Sequence, residues 1–196
     1  MPAAGIKRCK AQKPLIKGLK MDRKSVQLPL TKKTAKDLRA GEFCYLSGEL
    51  LVARDAAHAR MIACLDKGEP LPVSLDGETI YYMGPSPAKP GQVIGSAGPT
   101  TSGRMDRYTP VLLAQGMLGM IGKGRRSDEV KRAMTEHGAV YFAAIGGAGA
   151  LLSQCVEAAE TVAYGDLGPE AIRRLKVRDL PVVVAIDSRG EDVYSR

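Results

Sequence analysis

FCYLSGELLVARDAAHARMIACLDKG, residues 43–68, changes its apolar pattern half-way along. Residues 43–53 are largely apolar and read as an extended segment with a bend near Gly48, since glycine tolerates backbone angles that other residues avoid. Asp55 is a residue type that caps helix N-termini, and residues 56–67 then read as a helix that ends at Gly68. Met61, Ile62 and Leu65 form its apolar stripe, and His58 falls on the same face at helical spacing. A strand running directly into a helix is the unit from which α/β domains are built.

The same alternation continues along the chain. Residues 80–83 read as a short strand. Residues 84–103 hold five Gly and four Pro, which excludes regular structure through most of that stretch. A loop of this length within a domain is usually functional. A helix is expected around residues 110–116, followed by an apolar run at 117–121 and the turn GKGRR at 122–126. Ser127 is placed to cap a helix with Asp128 and Glu129 in its first turn and Gly138 just past its end. AVYFAAI (139–145) reads as a buried strand, GGAG (146–149) opens another helix, and residues 161–164 read as a short strand. Pro169 is placed to start a helix running through Leu175. PVVVAI (181–186) reads as a last buried strand. Continuous apolar strands separated by helices predict an α/β fold, a sheet covered by helices in a single compact domain. The length of 196 residues suits one domain with a tail.

Charge separates the tail from the body. The net charge of +8 conceals +10 on residues 1–40 and −2 on residues 41–196. The basic arm, taken as residues 1–26, is either a solvated segment, one lying on an acidic partner, or a binder of nucleic acid or another anionic surface. It lacks any aromatic residue before Phe43, so base stacking is not on offer. No apolar run reaches 18 residues and no signal peptide opens the chain, which predicts a cytoplasmic protein without a membrane span. Cys9, Cys44, Cys64 and Cys155 fit no zinc or iron–sulfur ligand spacing, so no metal is expected on this chain.

Three segments have anion-binding chemistry. GPTTSGRMDRYTP (98–110) joins Thr100 and Thr101 to Arg104, and hydroxyl donors beside a fixed guanidinium suit a carboxylate or phosphate. Arg54 lies between a strand and a helix N-terminus, where anions are commonly bound. Lys123 lies between two glycines directly after a strand. The alternative for each is an ordinary surface turn or ion pair. Gly124 follows Lys123 where a P-loop has Ser or Thr, and Leu152 interrupts a GxGxxG reading from Gly147 and Gly149. His58, near Arg54, is either a core histidine or a catalyst. Neither a nucleophile system nor a metal site can be assembled from the remaining residues.

LVARDAAHAR (51–60), YYMGPSPAKPGQVIGSAGPTTSGRMDRYTP (81–110), MIGKGRR (120–126), AVYFAAIGGAGALL (139–152) and DLGPEAI (166–172) resemble, in order, the β subunit of class I fumarate hydratases. That subunit is equivalent to the C-terminal domain of the single-chain enzymes and is a close relative of L-tartrate dehydratase β subunits. The resemblance covers roughly residues 27–196 and implies a swivelling β/β/α domain. It implies a hetero-oligomer with an α subunit that holds a [4Fe-4S] cluster, the isolated β subunit being open to homodimerisation. The implied reaction is the reversible hydration of fumarate to L-malate, a step of the tricarboxylic acid cycle. Arg54, Thr100, Thr101, Arg104 and Lys123 correspond to the family's substrate-binding residues. Thr100 is the position implied in proton transfer at carbon, and His58 corresponds to the histidine of the same motif. L-tartrate dehydration is the alternative activity.

Overall fold

The computed structural model describes residues 24–88, 90–145 and 147–195. Of the expected arm, residues 1–23 lie outside the described residues, and 24–26 belong to the first strand. The strands are β1 (Lys24–Gln27), β2 (Phe43–Val52), β3 (Thr79–Tyr81), β4 (Gly119–Gly122), β5 (Val140–Ala143), β6 (Val156–Ala163) and β7 (Ile172–Ile186). The helices are α1 (Lys32–Asp37), α2 (Asp55–Asp66), α3 (Thr109–Ala114), α4 (Asp128–His137) and α5 (Gly149–Leu152).

Strands β1 to β5 pair in parallel in chain order. β7 then runs antiparallel to both β5 and β2. That double pairing joins β2, β3, β4, β5 and β7 into a closed, barrel-like ring of five strands, with β1 and β6 attached outside it. Two long strands make the closure by changing neighbours half-way along. The first half of β2 pairs with β1 and the second with β3. The break falls at Gly48, where φ is +122° and a side chain would collide with the Leu28 carbonyl. β7 pairs with β6 as far as Val177 and with β5 from Val183, with Asp179 at φ +52° between them.

Alternation along the strands divides the core in two. Leu51, Ile80, Met120 and Tyr141 pack beneath helix residues such as Ala57, Met61, Leu112 and Val130. Their neighbours Leu50, Tyr81, Ile121 and Phe142 pack with Val182 and Val184 on the other face of the ring. Burial on both faces explains the continuous apolar runs.

Most of the expected elements form, with three corrections. The expected helix from Pro169 to Leu175 is absent: a 3₁₀ segment, Gly165–Glu170, leads directly into β7. The expected strand at 161–164 is the end of a longer one that begins at Val156. Asp55 is the first helical residue of α2, and Arg54 occupies the N-cap position with extended angles. Ser127 caps α4, its side chain accepting from the Val130 N–H at 3.3 Å, and Gly138 ends it at φ +73°. Such a cap contributes about 1 kcal/mol. No helix among the described residues is long and apolar enough to cross a membrane.

Candidate active site

The parallel strands all end at the same edge of the ring, the edge at which open α/β sheets bind ligands. Arg54 follows the end of β2, Tyr82 to Gly84 follow β3, and Lys123 follows β4. The Gly/Pro-rich loop after β3 returns to this edge, bridging Met83 to Pro99. The backbone N–H and Oγ1 of Thr100 both donate to the Tyr82 carbonyl, each at 2.8 Å. Thr101 forms a parallel bridge with Lys123. The Lys123 N–H donates to Thr100 at 3.2 Å, and the Ser102 N–H donates to the Lys123 carbonyl at 3.0 Å. The hydroxyl pair and the lysine are therefore one backbone unit. Gly122 permits this approach, since a side chain there would strike Ser102 Oγ. That hydroxyl is itself engaged with the Tyr141 hydroxyl at 2.9 Å.

Arg104 lies in the 3₁₀ turn Ser102–Met105, half-exposed, with Nε 3.2 Å from Asp55 Oδ1. This pair brings the loop of Arg104 onto the first turn of α2, beside Arg54. The Arg54 side chain pairs with Glu170 instead, Nη2 to Oε1 at 2.6 Å. Glu170 Oε2 accepts from the Ala56 N–H at 2.8 Å, so one carboxylate holds both Arg54 and the N-terminus of α2. Lys123, Thr101 and Arg104 are exposed, and Thr100 is half-buried. Cations and hydroxyls from three strand ends thus gather at one edge, an arrangement able to bind an anion with more than one carboxylate.

His58 lies beneath this surface, fully buried, with Nδ1 2.8 Å from the Arg54 carbonyl. A carbonyl can only accept, so Nδ1 carries the hydrogen. Burial pushes the imidazole down to about 4, against the Arg54 carbonyl, whose hydrogen bond favours protonation. The ring is therefore neutral at pH 7, packed edge-on against Tyr82 and tilted against Tyr108.

Arg126 is a cation whose place GKGRR did not reveal. It is 4% exposed and ion-paired with Asp106, Nε to Oδ1 at 2.6 Å. It also donates to Thr109 Oγ1 at 2.7 Å and lies near the faces of Tyr82 and Tyr141. The other oxygen of Asp106 accepts from the Ser127 N–H at 2.7 Å. Asp106 therefore anchors the loop of Arg104 to the N-terminus of α4. Gly84, against which the Arg54 guanidinium lies, and Asp55, Glu170, Asp106 and Arg126 are site-building residues whose partners sequence spacing could not indicate. The one available signal was that all five lie within the quoted motifs.

Cys44 is buried, and Cys64 and Cys155 are half-buried on separate elements; Cys9 lies outside the described residues. Among the described residues, no group of three or more His, Cys, Asp or Glu side chains is placed to hold a metal ion. These residues do not fit a cluster-ligand set.

A closed mixed barrel that gathers cations and hydroxyls at the carboxyl ends of its parallel strands defines the class, a mixed α/β domain. Comparison with known proteins specifies which. A family model described as fumarase C-terminus matches residues 6–196, and the chain belongs to that family. It is 42% identical over 153 residues to the aerobic class I fumarate hydratase of Escherichia coli (strain K12), covering 77% of this chain and 28% of that enzyme. It is 40% identical over 153 residues to fumarate hydratase 2 of Leishmania major, covering 77% of this chain and 27% of that protein. It is 39% identical over 171 residues to a putative L(+)-tartrate dehydratase subunit beta of Methanocaldococcus jannaschii, covering 84% of this chain and 88% of that subunit. The chain therefore spans under a third of the length of these fumarate hydratases.

Proposed function

We propose that this chain is the β subunit of a two-subunit class I fumarate hydratase, a hydro-lyase that reversibly converts fumarate to L-malate, and that it supplies the residues that bind substrate carboxylates. The observation that carries this reading is the Arg104–Asp55 contact, which sets Arg104 beside Arg54 while Thr101 is bridged to Lys123. A dicarboxylate dianion requires cations for both ends, and Arg54, Arg104 and Lys123 provide three. Thr100 and Thr101 supply hydroxyls between them. The Thr100 hydroxyl donates its hydrogen to the Tyr82 carbonyl, which leaves its oxygen free to accept. In that position it takes part in proton transfer at carbon only if a neighbouring group lowers its pKa. His58 serves the site as a neutral support.

The partner is a cluster-bearing α subunit, whose [4Fe-4S] centre supplies Lewis-acid chemistry at the substrate hydroxyl. Both the coverage of 88% of a tartrate dehydratase β subunit and the 28% coverage of a single-chain fumarase support a domain that works beside a larger unit. Membership of the fumarase C-terminus family and the closed ring of five strands support reading the domain as the swivelling β/β/α type. The coverage of 88% of a tartrate dehydratase β subunit favours a second reading, L-tartrate dehydration by the same arrangement.

Anaerobic co-expression with a cluster-bearing α subunit, followed by assay on fumarate and L-tartrate, decides between the two. Fumarate hydration well above tartrate dehydration is expected. The reverse preference selects the second reading, and no turnover of either refutes both.

A further inference from the structure

We propose that Glu170 and Gly84 are positioning residues that fix the guanidinium of Arg54 for a substrate carboxylate, an inference that rests on the dicarboxylate reading above. Arg54 is held from three directions. Its carbonyl is bound by His58 Nδ1 at 2.8 Å, which fixes the backbone. Its Nη2 is bound by Glu170 at 2.6 Å. Its flat face lies against Gly84, where an added methyl would sit 2.6 Å from Nη1, 2.7 Å from Cζ and 3.1 Å from Nε.

Gly84 is absent from the glycines with left-handed angles, so alanine suits its backbone. What glycine provides there is room for the arginine. Among the described residues, Arg54 Nε is buried without a hydrogen-bond partner, so the side chain is not placed there by its own bonding optimum. Glu170 is itself fixed, because its second oxygen caps the Ala56 N–H at 2.8 Å. Glu170 takes one N–H of Nη2, which leaves the second and both on Nη1 as donors for an incoming carboxylate. A long side chain ordered before binding does not lose that freedom on binding, which is how preorganisation increases affinity. The two other cations are arranged differently: Arg104 is half-exposed on a longer 3.2 Å ion pair, and Lys123 is exposed at the strand end bridged to Thr101. Arg54 is therefore the rigid reference point against which the substrate is oriented.

The test uses the assembled enzyme carrying Gly84→Ala, Glu170→Gln, Arg54→Ala and the two double variants that include Arg54→Ala. Each of the first two should raise KM for fumarate roughly tenfold, with kcat and melting temperature changed far less. In the Arg54→Ala background the same substitutions should cost less than about twofold more, because their effect passes through Arg54. An unchanged KM in both single variants, or the same cost in the Arg54→Ala background, overturns the proposal. A readout on the full chain alone needs no substrate: the guanidinium signals of Arg54 in an ¹⁵N NMR spectrum. Separate Nη signals are expected in the unmodified chain, averaging to one in Gly84→Ala and in Glu170→Gln. A single averaged signal in the unmodified chain refutes the positioning. An ordered Arg54 in an assembled enzyme that hydrates no dicarboxylate refutes the dicarboxylate reading instead.

Discussion

Arg104 Nε lies 3.2 Å from Asp55 Oδ1, and this one contact joins the Gly/Pro-rich loop after β3 to the first turn of α2. Its consequence is that two arginines 50 positions apart in the chain flank a single carboxylate, Arg54 through the peptide bond and Arg104 through space. The pair is exposed enough to be screened by solvent, so it contributes little to stability. Arg104 is thus paired without being buried, which suits the carboxylate-binding role proposed for it.

Arg104→Ala should lower kcat/KM of the assembled enzyme tenfold to a hundredfold, since a hydrogen bond to a charged group is worth about 1.5–3 kcal/mol. The melting temperature should stay close to that of the unmodified protein. Steady-state kinetics and a thermal melt on one preparation check both halves. A large fall in melting temperature with activity retained would make Arg104 structural.

Asp106→Ala should have the opposite profile. It leaves the Arg126 guanidinium buried without its carboxylate, and breaking such a pair costs about 3–5 kcal/mol. Urea unfolding should show the loss, with Asp106→Asn retaining part of the stability through its remaining acceptor. A loss below about 0.5 kcal/mol in Asp106→Ala would contradict the anchoring role of the pair.

Stability should also fall on mild acidification. The folded pKa of His58 is near 4 and the unfolded value near 6.5, so the unfolded chain binds a proton first. The contribution of the neutral ring is complete above pH 6.5 and is lost as the pH falls from there to 4. The linked loss is roughly 3 kcal/mol in all. Unfolding midpoints measured across that range should decline in the unmodified protein and decline less in His58→Asn. The acids nearest the ring, Asp55 and Glu170, favour its protonation, while Arg126 opposes it. A midpoint independent of pH between 6.5 and 4 would contradict the burial of His58.

Much of the fold was legible because local signals agreed with tertiary ones. The bend at Gly48, the cap at Ser127 and the stop at Gly138 are each decided by one residue's backbone chemistry. The segment from Pro169 to Leu175 misled for the converse reason. Pro169, Glu170 and Ala171 suit a helix start, but Ile172, Leu175 and Val177 are drawn into a strand by β2 on one side and β6 on the other. No local window contains that pairing. The candidate site divides in the same way. The cations and hydroxyls stood out as residue types near glycines. Their supports did not, because the pairing of Arg54 with Glu170 exists only once the ring has closed.

The most direct test of the central claim is reconstitution from separately purified subunits under anaerobic conditions. Fumarate hydration is predicted to be absent from this chain alone and from the α subunit alone, and to appear on mixing. A mixture containing the Arg104→Ala chain is predicted to assemble but to turn over tenfold to a hundredfold less efficiently. An α subunit that hydrates fumarate by itself as fast as the mixture does would contradict the claim that this chain supplies the carboxylate-binding residues.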